Sequence, residues 1–167
     1  MKTSRIFLVG FMCAGKSTVG PLLAHRLGWE FIDLDQEVER VQRRSIRKIF
    51  EDEGESNFRV LETAALETLD QRVNCVVALG GGTFTQEHNR SLIHHLGVSV
   101  FLDCPLETIL DRCPPDGTRP LFRNAAQIHD LYERRLPHYR QSKLRVEVSG
   151  LEPDDIVDSI LGIIFAN

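Results

Sequence analysis

Residues 10–17 read Gly-Phe-Met-Cys-Ala-Gly-Lys-Ser, the full G-x-x-x-x-G-K-S pattern, and Thr18 follows. Glycines let the backbone curl so that successive N–H groups point inward at phosphate oxygens. A helix starting near Lys16 aims its positive end at the same oxygens. Lys16 adds a point charge toward the outer phosphates, and the Ser17 hydroxyl is a ligand for Mg²⁺. The motif does not by itself choose between kinase, GTPase and ATPase. No N-K-x-D sequence for reading guanine is present, which counts against a GTPase.

Three further groups bear chemistry. Asp33 and Asp35 close the run Phe-Ile-Asp-Leu-Asp at 31–35. Two apart in a strand, both carboxylates would face one pocket, one toward a hydrated metal and one toward an acceptor hydroxyl. Gly80, Gly81 and Gly82 follow an apolar run directly, and three bare glycines leave N–H groups open to a close-lying substrate. Arg59, Arg119 and Arg134-Arg135 are scattered along the chain. Arginine grips carboxylate or phosphate as a two-point fork, so several beside one Asp pair suggest a small anionic acceptor.

The elements that must position these residues are legible too. Five β-type runs occur at Ile6–Gly10, Phe31–Leu34, Cys75–Leu79, Val98–Leu102 and Arg145–Val148. The first, third and fourth are nearly continuous apolar runs, as in strands buried on both faces of a parallel sheet. Helices are expected at Lys16–Leu27, Glu55–Asp70, Pro105–Arg112, Asn124–Gln141 and Pro153–Phe165. Strands alternating with helices predict an α/β fold. The stretch between Leu34 and Cys75 must hold more than one helix, and the Pro- and Gly-rich stretch Cys113–Asn124 is a loop.

The chain of 167 residues fits a single domain, residues 1–167, and its net charge of −4 argues against bulk binding to nucleic acid or anionic lipid. No apolar run is long enough to span a membrane, and the N-terminus lacks a signal-peptide pattern. The four cysteines form no C-x-x-C pair or zinc spacing. Cys75 and Cys104 read as core filler, and a reducing cytoplasm is expected. Cys13, at a helix N-terminus and near Lys16, has the surroundings of a reactive thiolate, so alkylation blocked by ATP is expected there.

Taken in order and spacing, these motifs resemble shikimate kinase over nearly the whole chain. The marks are G-F-M-C-A-G-K-S-T-V-G at 10–20, F-I-D-L-D at 31–35, G-E-S-N-F-R at 54–59, L-G-G-G at 79–82, R-P-L at 119–121 and R-R-L-P-H-Y-R at 134–140. The resemblance implies a P-loop fold of the nucleoside-monophosphate-kinase type, with a five-stranded parallel sheet and flanking helices. It implies a substrate-binding lobe at about 36–62 and a lid at about 112–125. It implies ATP and Mg²⁺ as cofactors, shikimate as the acceptor through its 3-hydroxyl, and a monomer.

Residue by residue, the resemblance implies that Cys13, Ala14, Gly15, Lys16, Ser17 and Thr18 cradle ATP, with Arg112 on adenine. Ser17 would bind the metal directly and Asp33 through water. Asp35 would bind the shikimate hydroxyls, Arg59 and Arg135 its carboxylate, and Gly80, Gly81 and Gly82 its ring by backbone. Arg119 would reach the transferring phosphate, making Asp35, Lys16 and Arg119 the catalytic group. Three departures stand out: Cys13 where the family has Gly or Ser, Pro21 inside the first helix, where a local kink is expected, and Leu151 where some members carry arginine. Another small-molecule kinase, such as a gluconate kinase, or a non-catalytic ATP sensor are the alternatives.

Overall fold

A computed structural model describes residues 4–112 and 125–165. Arg119 and most of the expected lid therefore lie outside the described residues. Five strands, β1 (Arg5–Val9), β2 (Glu30–Asp33), β3 (Cys75–Ala78), β4 (Val98–Asp103) and β5 (Leu144–Glu147), form one sheet in the order β2-β3-β1-β4-β5. Every pairing is parallel. The three central strands are the apolar ones: β3 is buried at every position, and β1 and β4 at all but their first. Edge strands β2 and β5 alternate buried with more exposed residues, since only one of their faces is fully covered.

Seven helices flank the sheet among the described residues: α1 (Lys16–Leu27), α2 (Leu34–Gln42), α3 (Ile46–Glu67), α4 (Glu87–Leu96), α5 (Leu106–Arg112), α6 (Ala125–Tyr139) and α7 (Pro153–Phe165). None is long and apolar enough to cross a membrane. Helix α1 ends at Gly28 in the left-handed conformation, whose N–H bonds back to His25. It is assigned as one continuous helix through Pro21. The missing donor leaves only the carbonyl of Ser17 without its usual helical partner. Pro21 and Ser17 are both exposed, so water can satisfy that carbonyl.

Gly20 lets α1 pack tightly on the sheet: a Cβ there would lie 2.2 Å from the Phe31 ring. The main core holds both faces of the sheet, with free, buried Cys75 and Cys104 among its small members, as expected. A second, smaller cluster joins Val38 of α2 to Ile49 and Phe58 of α3, where the Phe50 and Phe58 rings lie 4.9 Å apart. This cluster is the hydrophobic anchor of the segment that carries Arg59.

Two boundaries depart from the sequence reading. The helix expected from Glu55 is the second part of α3, whose axis breaks at Gly54 (φ 79°, ψ 175°), a backbone state that glycine alone adopts readily. Helix α4 was not foreseen, because its ten residues Glu-His-Asn-Arg-Ser-Leu-Ile-His-His-Leu bury only Asn89, Ile93 and Leu96.

Candidate active site

The loop between β1 and α1 leaves the carboxyl end of the central strand, the edge where parallel α/β sheets bind ligands. Its curl uses Gly10 at φ 154°, Cys13 at φ 60° and Gly15 at φ 104°. Cys13 is thus a non-glycine residue in the left-handed region, which costs roughly 1–2 kcal/mol. A glycine there would relieve this cost. Lys16 Nζ donates to the carbonyls of Gly10 (2.7 Å) and Phe11 (2.9 Å), which fold its stem back over the loop. Cys13 is disulfide-bonded. The expected nucleophilic thiolate is therefore corrected, since a sulfur held in a disulfide has no thiolate to alkylate.

The loop opens into a cleft of about 830 Å³. Cys13, Ala14, Gly15, Lys16, Ser17, Thr18 and Arg112 line it, as do Asp33, Asp35, Arg59, Gly80, Gly81, Gly82 and Arg135. Every expected site residue among the described ones meets there. Leu151 also lines it, an apolar side chain on the expected adenine side.

The two aspartates reach the cleft by a route the sequence did not show. Asp33 ends β2, but Asp35 lies in the first turn of α2, so the same-face strand argument does not apply. Asp33 caps α2 instead: its Oδ1 accepts from the N–H groups of Asp35 (3.0 Å) and Gln36 (3.2 Å). The cap fixes the turn that aims Asp35 inward. Asp35 Oδ1 is buried with no hydrogen-bond partner among the described residues. Burial, the nearby Glu62 carboxylate and Asp33 push its pKa up to about 6, against the opposing pull of Lys16 and Arg59. A carboxylate held there is a better proton acceptor than an ordinary aspartate.

Ser17 and Asp33 share the cleft, and no group of three or more His, Cys, Asp or Glu among the described residues forms a metal cage. A sparse set of oxygen donors suits Mg²⁺, which keeps most of its waters and is completed by phosphate. The residues present fit that ion.

The cationic side is built from two helices. Arg59 lies over the Phe58 ring, 5.2 Å from its centroid. Its Nη1 donates to Glu62 (2.9 Å) and its Nη2 to Glu55 (3.1 Å). Burial works against its charge, but Glu62 and then Glu55 outweigh burial and hold the guanidinium charged. Arg135 is buried on α6, 5.8 Å from the Phe11 centroid, and hydrogen-bonds Tyr139 one turn on. The Tyr139 hydroxyl donates to the Gly81 carbonyl at 2.5 Å. Burial pushes that phenol up to about 12, so it stays protonated and keeps the bond.

Sequence reasoning missed Glu62 and Tyr139. Glu62 was findable, since it lies three residues after Arg59 on one helix face. Tyr139 is likewise one turn after Arg135.

The glycine run acquires a different reason from the one the sequence suggested. A Cβ on Gly80 would lie 2.6 Å from Glu62 Oε1 and 2.7 Å from Asp35 Oδ1. On Gly81 it would lie 2.9 Å from Arg135 Nη1, and on Gly82 2.3 Å from Arg59 Nη2. Gly80 makes room for two carboxylates of the cleft, and Gly81 and Gly82 for one arginine each.

The shikimate kinase family model matches residues 12–164. The shikimate kinase of Persephonella marina is 44% identical over 158 residues, covering 94% of this chain and 96% of the relative. That of Aquifex aeolicus is 41% identical over 159 residues, covering 94% of each. Among solved structures, the shikimate kinase of Acinetobacter baumannii in complex with shikimate superposes with a TM-score of 0.94 at 40% identity, covering 99% of this chain and 95% of that one. A gluconokinase from Sinorhizobium meliloti shares the fold alone, with a TM-score of 0.66 at 22% identity. With a model spanning most of its length and relatives above 40% identity end to end, the chain belongs to the shikimate kinase family.

Proposed function

We propose that this chain phosphorylates the 3-hydroxyl of shikimate with ATP, and that the residues lining the cleft divide the work as follows. The loop of residues 13–18 binds the phosphates through its backbone N–H groups and Lys16. Ser17 and Asp33 would hold Mg²⁺, which when bound would neutralise charge on the phosphates. Phosphoryl transfer runs through a loose transition state, so positioning and charge supply most of the catalysis. Arg59 and Arg135 grip the shikimate carboxylate and fix the ring. Asp35 orients the acceptor hydroxyl and accepts its proton at Oδ1. Arg119 belongs to this reading from the sequence motif alone, as the cation that meets the transferring group. Arg112 rests against the adenine.

The observation that carries the reading is the pairing in one cleft of a phosphate loop with a buried carboxylate and two buried-stem arginines. A nucleotide sensor needs no such acceptor side. A gluconate kinase also acts on a hydroxy acid, but the likeness to a gluconokinase extends to the fold only. Incubation with ATP and Mg²⁺, offering shikimate or gluconate and following ADP release, tests it. Release with shikimate alone is expected; release with gluconate alone, or without acceptor at the same rate, would overturn it. In this reading the chain acts as a cytoplasmic monomer. Its net charge of −4 fits small anionic ligands bound locally better than nucleic acid or a membrane surface.

A further inference from the structure

Glu62 is a fully buried carboxylate in a cleft that also holds Asp35, so its charge must be satisfied on both oxygens. Oε2 is held by Arg59 Nη1 at 2.9 Å, with Gln86 Nε2 at 3.5 Å. Oε1 is held by the hydroxyl of Thr83, which donates to it at 2.5 Å. Thr83 is itself fully buried and follows the three glycines in the chain.

Thr83 is held in turn from two sides. Its N–H donates to the Gly80 carbonyl at 3.1 Å, and its carbonyl accepts from Asn89 Nδ2 at 3.2 Å. Asn89 Oδ1 accepts from the Thr63 hydroxyl at 2.9 Å, and Thr63 is the neighbour of Glu62 on α3. A closed ring of hydrogen bonds therefore joins α3, the loop after β3 and α4. Of these residues, Thr83, Asn89 and Thr63 do not line the cleft, while Glu62 does.

Glu62 Oε1, Asp35 Oδ1 and the Thr83 hydroxyl all lie against Gly80, where a Cβ would be 2.6, 2.7 and 3.1 Å from them. The Thr83 hydroxyl thus holds the Glu62 oxygen that, with Asp35 Oδ1, crowds Gly80. It also decides how Glu62 meets Arg59: with Oε1 occupied, Oε2 alone faces the guanidinium.

We propose that Thr83 is a positioning residue for the acceptor site, its hydroxyl fixing the Glu62 carboxylate so that Arg59 is presented to the substrate carboxylate. This rests on the reading of Arg59 as a carboxylate ligand. Thr83 touches no substrate in this scheme; it acts through Glu62, and Asn89 with Thr63 keeps it in place.

The hydroxyl and the methyl of Thr83 can be separated. Thr83→Val keeps the shape and removes the donor. Thr83→Ser keeps the donor and removes a methyl. Steady-state kinetics of both, in the full chain, with shikimate and ATP each varied, read the split, and Arg59→Lys is run beside them. The expected result is a rise of about tenfold or more in the shikimate KM for Thr83→Val, an unchanged ATP KM, and a Thr83→Ser close to the parent. Should Thr83→Val fail to fold, Thr83→Ala is the second donor-free variant and carries the same expectation.

The reverse order, with Ser impaired and Val like the parent, would make Thr83 a packing residue and overturn the inference. So would an equal rise in both KM values. A rise for Arg59→Lys with none for Thr83→Val overturns the role of Thr83 and leaves Arg59 standing. No rise for Arg59→Lys removes the Arg59 reading, and this inference falls with it.

Discussion

Asp35 gives a prediction in which stability and activity move in opposite directions. Its pKa in the folded chain is raised from 3.8 to about 6, chiefly by burial and then by Glu62 and Asp33. The sign follows from linkage. A group whose folded pKa is raised contributes stability that is fully present below the unfolded value and lost as pH rises through the folded one. At pH 8 the folded chain therefore holds Asp35 ionised at a cost of about 2–3 kcal/mol, from a shift of roughly two units. Asp35→Asn mimics the neutral form and removes that cost. For a chain of this size it should raise Tm by roughly 5–10 °C at pH 8. By pH 4 the folded Asp35 is almost fully protonated and the unfolded one roughly two-fifths so, and the gap should shrink to below about 1 kcal/mol. Calorimetry of both proteins without ligand, at pH 8 and pH 4, measures it. The same substitution should nearly abolish shikimate phosphorylation while ATP binding survives. An Asn variant that is less stable at pH 8, or a gain of equal size at both pH values, would refute the account of a carboxylate strained by burial.

Other expectations follow from the same cleft. The kcat/KM for shikimate should fall below a pH near 6, as Asp35 takes up its proton, and a pH–rate profile checks this. Gly82→Ala places a Cβ 2.3–2.5 Å from the Arg59 guanidinium, the movable end of a side chain. It should therefore spare the fold but raise the shikimate KM about 10–100-fold, with ATP KM unchanged; paired kinetics and a melting curve decide. Cys13, held in a disulfide, should resist an alkylating agent until the protein is reduced. Mass spectrometry showing Cys13 labelled before reduction would contradict this.

The fold was legible wherever burial was uniform. β1, β3 and β4 are apolar because both faces of the sheet are covered, and their runs in the sequence coincide with the observed strands to within a residue. Helix α4 was not legible, since an amphipathic segment with two adjacent histidines and three buried residues carries little periodic signal. Residue types named the site correctly but sometimes for the wrong geometric reason. Asp33 and Asp35 do line one cleft, yet one is a helix cap and the other a first-turn residue. The period-two argument failed because the strand ends one residue earlier than the pattern suggests. Thr83 and Asn89 were invisible because their role depends on hydrogen bonds to α3 residues 21 and 26 positions away.

The glycine run shows how the two halves of the site depend on each other. The phosphate loop needs glycine for backbone angle: Gly10 and Gly15 both have positive φ. Gly80, Gly81 and Gly82 do not; they need glycine for volume, since charged side chains from α2, α3 and α6 converge on them. The loop after β3 is thus a floor shared by Asp35, Glu62, Arg59 and Arg135. An alanine there would push one of these groups aside, while its nearest approach to the phosphate loop, Gly81 to Met12 N at 3.9 Å, is ordinary contact. Substitution in this run should therefore separate the two substrates kinetically. The acceptor KM should respond to each glycine through the side chain that sits over it, and the nucleotide KM to none.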